Sequence, residues 1–236
     1  MTSDMGTSWT MNDKPFKEPK LLGNGLMDRL LKRLVLKKFR INHQHFFDYS
    51  KFRVITPLSE RENIIGFVGR LAEGKGILNL LIAFAALSET RDDITLMVVG
   101  DGPLMGKVKK FLRKTNLGER VVAEGWVNNE DLPDCYNKMK MLVLPSYTEA
   151  LPMVILEAMA CSTPVLVTPV GAVSDYIVDG KTGFILIDNE PMTIIRKINR
   201  VLRCSDLEDI ANWAKELVEK EFTFEAAVDS FRTALE

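Results

Sequence analysis

The sequence predicts an α/β fold, a doubly wound parallel sheet with helices on both faces. Three observations support this prediction. Short apolar segments of strand length alternate with longer segments of helical length from Asn63 to the C-terminus. The strand segments are apolar throughout, which is typical of parallel strands that are buried on both faces. Glycine-rich or polar loops follow these strands, at the sheet edge where such folds bind ligands.

The elements follow from this alternation in chain order. Short apolar runs indicate strands, and longer apolar or amphipathic runs indicate helices. The predicted strands cover residues 64–68, 94–99, 121–123, 141–144, 165–167 and 183–187. The predicted helices cover residues 77–87, 104–113, 131–137, a segment that begins near Pro152, and then 192–202, 206–220 and 224–235.

Composition excludes several classes of protein. The 236 residues suffice for one good-sized domain with an extension, and the net charge of −1 gives no sign of a nucleic-acid partner. The three cysteines lie far apart without a C-x-x-C pair, so neither a zinc site nor a disulfide framework is expected. No apolar run is long enough to span a bilayer, and residues 1–20 lack the apolar core of a signal peptide. We expect a cytoplasmic protein.

The N-terminal region differs from the rest of the chain. Residues 1–24 are polar and are expected to be poorly ordered. Residues 25–52 contain a strongly basic helix and a linker, and two interpretations of the helix stay open. In the first interpretation, residues 27–40 lie on an anionic membrane surface. In the second, they form an ordinary amphipathic helix of a globular protein. His43 and His45 have no acid or cysteine partner at ligand spacing, so no metal site is expected.

The loop after the first strand reads G-R-L-A-E-G-K-G, residues 69–76. It nearly matches a nucleotide-binding P-loop, but Gly76 stands where a hydroxyl residue would hold magnesium, which disfavours an ATPase or GTPase. Arg70 and Lys75 are better interpreted as two cations that clamp a diphosphate without a metal, or else as solvated loop charges. In the next loop, G-D-G-P, the third glycine of a dinucleotide site is missing, so a nicotinamide cofactor is disfavoured.

The central segment of the chain follows the strand at 141–144. A polar loop containing Glu149 leads into an apolar helix that begins near Pro152. A helix start carries partial positive charge and unpaired N–H groups, so this corner predicts an anion site, such as one for a diphosphate. Glu149 would repel a phosphate unless it faces hydroxyl groups, and Glu157 follows eight positions later. Two acids beside such a corner suggest a nucleotide sugar, whereas each glutamate taken alone fits ordinary surface charge.

The segment S-Y-T-E-A-L-P-M-V-I-L-E-A-M-A-C-S-T-P-V resembles the signature of the large retaining glycosyltransferase family of the GT-B fold, the group 1 glycosyl transferases. In that signature two glutamates are separated by seven residues. The resemblance runs from about Phe52 to the C-terminus. Enzymes of this family have two Rossmann-like domains, and residues 53–236 resemble the C-terminal, donor-binding one. Residues 25–52 resemble the end of a preceding domain and the interdomain linker.

The resemblance implies roles for individual residues. Arg70, Lys75 and Glu149 would be catalytic, with the two cations stabilising the leaving diphosphate and Glu149 holding hydroxyls of the transferred sugar. Glu157 would bind the ribose. Trp126 either covers the nucleobase or packs, and we expect it to pack. The implied donor-binding residues are Gly69, Gly100, Gly102, Pro103, Gly125, Trp126, Val127, Ala150, Leu151, Pro152, Met153, Val154 and Glu157. Three positions depart from the family pattern: Ser162 and Ala172 replace glycines, and Asp175 replaces a glutamate.

The function that the resemblance implies is retaining transfer of a hexose without a metal or another cofactor. The donor would be a UDP-, GDP- or ADP-linked sugar, and the acceptor a glycan, a lipid or another molecule, in cell-surface polysaccharide or glycoconjugate synthesis. Two alternatives stay open because only the donor half is present. The chain is a non-catalytic nucleotide-sugar-binding module, or it is a subunit of a split enzyme whose partner chain brings the acceptor domain. A sugar-nucleotide epimerase of the same fold would lack the two-glutamate signature.

Overall fold

Six parallel strands form one sheet in the order β3-β2-β1-β4-β5-β6 in the computed structural model of the chain. The structure describes residues 51–115 and 117–224, together with 226, 228 and 232. They belong to a compact unit that spans Gln44–Glu236. The strands are β1 Ile64–Val68, β2 Thr95–Val99, β3 Val121–Gly125, β4 Met141–Leu144, β5 Val165–Val167 and β6 Phe184–Ile185.

Helices connect the strands and cover both faces of the sheet. They are α1 Ile77–Ser88, α2 Met105–Thr115, α3 Leu132–Lys138, α4 Met153–Ala160, α5 Val173–Tyr176, α6 Pro191–Leu202 and α7 Leu207–Glu221. Helix α1 packs against α2 and α6, whereas α4 packs against α3 and α7. The doubly wound parallel sheet predicted from the sequence is therefore confirmed.

The strands are buried as their apolar sequences predict. All four residues of β4 are buried, and four of the five residues are buried in both β1 and β2. Each such aliphatic side chain stabilises the fold by about 1.5–3 kcal/mol through its removal from water. β3 differs because it is an edge strand, and Val122, Ala123 and Glu124 on it are exposed.

The limits of some elements differ from the prediction. The strand predicted at 183–187 is only Phe184–Ile185, because its neighbour β5 is three residues long and offers pairing partners at only two positions. Helix α5 was not predicted, since a single turn such as Val173–Tyr176 carries almost no periodicity. The predictions for residues 1–24 and for residues 25–50 lie outside the described residues, as does most of the helix predicted at 224–235.

The amino edge of the sheet is held by a buried arginine. Arg61 precedes β1 and is only 6% exposed, and burial lowers the pKa of its guanidinium to about 10. Its hydrogen-bond acceptors are the backbone oxygens of Thr56, Tyr136, Met139 and Cys161 and the side chains of Asn137 and Thr163. Because these acceptors come from the segments that lead into β1, β4 and β5, Arg61 fixes the starts of three strands.

Candidate functional site

The strand order places a crevice between β1 and β4. These strands are neighbours, yet β1 leads through α1 to β2 on one side and β4 leads through α4 to β5 on the other. The loops that leave their carboxyl ends, residues 69–76 and 145–152, therefore lead to helices on opposite sides of this point. Ligands of doubly wound sheets bind at such a switch point. The two loops singled out in the sequence thus flank one crevice.

Backbone contacts hold these two loops against each other. The amide of Tyr147 donates a hydrogen bond to the carbonyl oxygen of Gly74 at 2.9 Å. Gly76 has a φ of 69°, and a Cβ placed there would collide with the carbonyl oxygen of Pro145. Only glycine allows this approach. Gly76, which disfavoured a P-loop in the sequence, therefore allows the two loops to touch.

Lys75 and Glu149 form an ion pair across the crevice. The Lys75 Nζ lies 2.6 Å from Glu149 Oε1, and Ser146 Oγ donates to the same oxygen at 2.8 Å. The side chains are 30% and 10% exposed, respectively. The repulsion expected between Glu149 and a phosphate is therefore offset by Lys75 before any ligand arrives. Arg70, in the same loop, is exposed, and its side chain forms no hydrogen bond or ion pair with any described residue.

Helix α4 begins beside this ion pair without a side-chain cap. The amides of Met153 and Val154 have no acceptor among the described residues. Unpaired amides at a helix start, reinforced by the helix dipole, favour an anion. Pro152 has no amide proton, so it shapes this start but cannot itself donate to a phosphate. Ala150 is exposed and Leu151 is partly exposed at the mouth of the crevice.

Glu157 lies inside the protein rather than on its surface. It is 6% exposed, and its Oε2 accepts a hydrogen bond of 2.7 Å from the hydroxyl of Tyr136 on α3. Burial raises the pKa of Glu157, and the hydrogen bond from Tyr136 partly opposes this shift. Ser162 Oγ is the only fully buried side-chain polar atom without a partner among the described residues. Glu157 Oε1 has no hydrogen-bond partner among the described residues and therefore retains contact with solvent.

The ordinary interpretation of Glu157 as a solvated surface charge is wrong. Its side chain lies between α4 and α3, which pack together, and both neighbours on α4 are fully buried. The sequence placed Glu157 in an apolar helix but did not indicate its partner. The phenol of Tyr136 had no sequence signal beyond its position in a short apolar-faced helix.

The glycines after β1 and β2 bring the loops together. A Cβ at Gly100 would collide with the carbonyl oxygen of Gly69, and a Cβ at Gly102 would lie 2.6 Å from the carbonyl oxygen of Leu71. At Gly69 and Gly125, by contrast, a Cβ would meet nothing within 4 Å. Open space for a ligand therefore lies at Gly69 and Gly125, whereas Gly100 and Gly102 serve the packing of one loop on another.

The expectation that Trp126 packs is wrong. Its side chain is 72% exposed, because it follows edge strand β3 and no described element covers it. Trp126 and Val127 line a cavity of about 350 Å³ together with residues of β3, of the loop after it and of α3. Pro103, after β2, is exposed as well.

A second cavity, of about 420 Å³, borders the loop of Lys75. It is lined by Glu73, Gly74, Gly76, Leu78, Asn79, Leu104 and Tyr147. Asn79 Nδ2 donates to the Tyr147 hydroxyl at 2.9 Å and to the carbonyl oxygen of Asn189 at 2.8 Å, which fixes the wall of the cavity. Within the described part of the chain, no group of three or more His, Cys, Asp or Glu side chains is placed to hold a metal ion.

One departure from the family pattern leaves a mark on the structure. Ser162 adopts a left-handed conformation with a φ of 49°, which suits glycine better, and its Oγ is the buried atom without a partner. Ala172 is accommodated, since its φ of −84° suits residues other than glycine.

The fold is a Rossmann-like domain with an uncapped helix start at the carboxyl edge of its sheet. The family described as Glycosyl transferases group 1 matches residues 48–217 of the chain. The chain therefore belongs to the group 1 glycosyl transferases, and the domain is of the GT-B type. This confirms the resemblance identified from the sequence.

Similar proteins are glycosyltransferases of greater length. The chain is 32% identical over 185 residues to the lipopolysaccharide 1,2-N-acetylglucosaminetransferase of Salmonella typhimurium, a match that covers 74% of this chain and 48% of that protein. The chain thus spans about half the length of the curated relatives it matches.

Solved structures share the fold. HepE of Anabaena, in complex with UDP and glucose, has a TM-score of 0.70 at 22% identity and covers 80% of this chain and 55% of its own. The C-terminal domain of LpcC, a glycosyl transferase group 1 family protein from Francisella tularensis, has a TM-score of 0.65 at 21% identity. That match covers 75% of this chain and 99% of the LpcC domain. Among the described residues, no helix has the length and apolar character that crossing a membrane requires.

Proposed function

We propose that the chain is the donor-binding half of a retaining, metal-independent glycosyltransferase that transfers a hexose from a nucleotide-diphosphate sugar to a glycan, lipid or other acceptor. The observation that carries this proposal is the Lys75–Glu149 ion pair beside the uncapped start of α4. One crevice thereby offers cations and amides for a diphosphate, and a carboxylate for sugar hydroxyls.

The diphosphate is held by positive groups from both loops. The unpaired amides of Met153 and Val154 contribute partial positive charge beside the crevice. Arg70 adds a full positive charge that no described residue neutralises. Lys75 neutralises Glu149 in the free protein and can share its donors with a phosphate. These groups stabilise the negative charge that develops on the departing diphosphate, and such stabilisation is a large part of catalysis.

Glu149 holds the transferred sugar. Its Oε1 accepts from both Lys75 and Ser146, which fixes the carboxylate and leaves Oε2 for a sugar hydroxyl. A carboxylate fixed in this way loses little side-chain entropy when the sugar binds. The ribose hydroxyls of the nucleotide would donate to Glu157 Oε1, the oxygen that retains contact with solvent. The nucleobase would lie near the backbone of Gly125 and Val127, and the exposed Trp126 ring is available to cover it.

The comparisons support a donor domain rather than a whole enzyme. A domain described as C-terminal aligns over 99% of its length, and HepE contains UDP and glucose in a structure of the same fold. The acceptor would then contact a second domain or a partner chain. The alternative is a nucleotide-sugar-binding subunit without turnover of its own. The proposal extends to a cytoplasmic location, with residues 27–40 as the region for any contact with a membrane surface.

Calorimetric titration of UDP, GDP and ADP in the presence of EDTA tests this proposal. We expect one of the three to bind stoichiometrically, and Arg70→Ala and Lys75→Ala each to weaken it about tenfold, the worth of a charge-assisted hydrogen bond. Lys220→Ala, at the exposed end of α7, is the matched control that removes one positive charge without changing binding. Binding that none of the site variants weakens, or no binding to any of the three, contradicts the proposal.

Turnover separates the two versions of the proposal. Transfer or hydrolysis of the donor sugar by the chain alone indicates a complete catalytic unit. Binding without turnover, together with a stoichiometric partner on co-purification, indicates a subunit of a split enzyme.

A further inference from the structure

We propose that Tyr136 is a positioning residue that holds Glu157 in the orientation in which it receives the ribose hydroxyls of the donor nucleotide. This inference rests on the proposed function and deepens it, because it assigns the discrimination of ribose to a pair of residues. Tyr136 is not part of the sequence signature that identified the site.

The first step of the argument is the geometry of the pair. The Tyr136 hydroxyl donates to Glu157 Oε2 at 2.7 Å, and Tyr136 is fully buried. A glutamate side chain has several rotatable bonds, and one anchored oxygen removes most of their freedom. The second oxygen then has a fixed direction, and it is the oxygen that retains contact with solvent.

The second step is that Tyr136 is itself fixed from the opposite side. Its backbone oxygen accepts hydrogen bonds from Arg61 Nη1 at 3.2 Å and from Thr163 Oγ1 at 2.9 Å. Its ring lies 6.2 Å from the ring of Phe52, measured between centroids. Tyr136 is therefore fixed by contacts at the amino edge, and it in turn fixes the Glu157 carboxylate on α4.

The third step concerns charge. Burial without a donor would favour the neutral form of Glu157, which is a poorer acceptor for a hydroxyl. The Tyr136 hydroxyl stabilises the carboxylate form and opposes the rise in the pKa of Glu157 that burial causes. Tyr136 thus keeps both the orientation and the acceptor character of Glu157. No described lysine or arginine hydrogen-bonds to Glu157, so no cation replaces Tyr136 in this role.

The test compares a ribonucleotide with its analogue that lacks the ribose hydroxyls. The dissociation constants of UDP, GDP and ADP and of their 2′,3′-dideoxy counterparts are measured for the unmodified chain, and the base that binds most tightly is used thereafter. We expect Tyr136→Phe to weaken the ribonucleotide about tenfold and to leave the dideoxy ligand within about twofold, since the latter makes no contact with Glu157. Tyr176→Phe, which loses the same hydroxyl from a ring packed on Phe222, is the matched control.

A double-mutant cycle separates positioning from general damage to the fold. In a Glu157→Ala background, Tyr136→Phe is expected to change ribonucleotide binding no further, because the group through which it acts is gone. Equal losses for both ligands, or an additional loss in the Glu157→Ala background, would overturn the inference. If the unmodified chain binds no nucleotide, the proposed function fails instead, so the two failures are distinguishable.

A second measurement applies if Tyr136→Phe does not fold. The chain is labelled with 3-fluorotyrosine, and the Tyr136 resonance is assigned by replacing the other tyrosines one at a time. We expect that resonance to move on addition of the ribonucleotide and to stay in place with the dideoxy ligand. Movement of equal size with both ligands would contradict the inference.

Discussion

The two edges of the sheet satisfy their polar groups in opposite ways. At the amino edge, Arg61 is buried and its donors find acceptors in the backbone and side chains around it. At the carboxyl edge, the amides of Met153 and Val154 have no described acceptor, and Arg70 faces solvent. A buried network that is fully satisfied rigidifies a fold, whereas donors without protein acceptors are ready for a ligand.

This difference between the two edges indicates which residues stabilise the domain and which bind a ligand. Changes at the amino edge should lower the free energy of unfolding, and changes at the carboxyl edge should lower affinity for a nucleotide. Tyr136 connects the edges, since its backbone belongs to the Arg61 network and its hydroxyl belongs to the site. Four substitutions and one matched control test this separation.

Arg61→Leu should have the largest effect. The substitution leaves several buried carbonyl oxygens and two side chains without their donor, and we expect a loss of about 3–5 kcal/mol in the free energy of unfolding. Urea denaturation followed by circular dichroism measures it. A loss below about 1 kcal/mol would show that water replaces the guanidinium and that the amino edge is not the rigid one.

Gly76→Ala should come next, and it acts at the other edge. A Cβ at Gly76 collides with the Pro145 carbonyl oxygen, so the loops that carry Lys75 and Glu149 must move apart. We expect about 2 kcal/mol of destabilisation and loss of nucleotide binding by the fraction that remains folded.

Gly106→Ala is the matched control for this substitution. Gly106 lies in α2, and a Cβ there would meet nothing within 4 Å. Alanine should raise stability by about 0.5–1 kcal/mol and leave binding unchanged. Normal binding by Gly76→Ala would mean that the approach of the two loops does not shape the site.

Ser162→Gly should stabilise the protein. The change relieves the left-handed strain of Ser162 and removes its buried, unpartnered hydroxyl, and the added freedom of glycine in the unfolded chain offsets part of this gain. We expect a net increase of about 1 kcal/mol, measured by chemical denaturation, with unchanged nucleotide affinity. A decrease would show that the hydroxyl has a partner such as an ordered water.

Glu157→Gln should have the smallest effect, and it depends on pH. The pKa of Glu157 is raised in the folded chain, so the protonated side chain contributes to the free energy of unfolding. This contribution is complete below the pKa of the unfolded chain and is lost as pH rises through the pKa of the folded chain. Glutamine does not titrate, and its side-chain oxygen can still accept a hydrogen bond from the Tyr136 hydroxyl. The stability of the variant relative to the unmodified chain should therefore increase as pH rises above about 4.3, the ordinary pKa of a glutamate. A difference that does not change with pH would show that Glu157 is not desolvated.

Much of the fold was predictable because an apolar run of strand length indicates, from local sequence alone, a strand that is buried on both faces. Met141–Leu144 is apolar throughout and is buried throughout, and the pattern before and after it gave the alternation of strands and helices. The order of the strands did not follow from the residues alone. The sheet shows it, with β1 and β4 as neighbours at the centre.

The site was predictable only in part, since loops meet in space and not in sequence. Lys75 and Glu149 are separated by more than seventy positions, and no local pattern indicates that they form an ion pair. The role of Arg61 was missed because an arginine before a strand usually lies on the surface. Trp126 was expected to pack because large aromatic residues usually do, but the edge position of β3 leaves no neighbour to cover it.

The amide resonances of the chain during titration with a nucleoside diphosphate test the central claim most directly. We expect the amides of Met153, Val154 and Gly69, together with the loop of Lys75, to shift in proportion to saturation. The amides around Arg61 and Thr163 at the amino edge should stay in place. Shifts confined to the amino edge would contradict the account. Saturation of the protein with ligand without any shift at the start of α4 would contradict it as well.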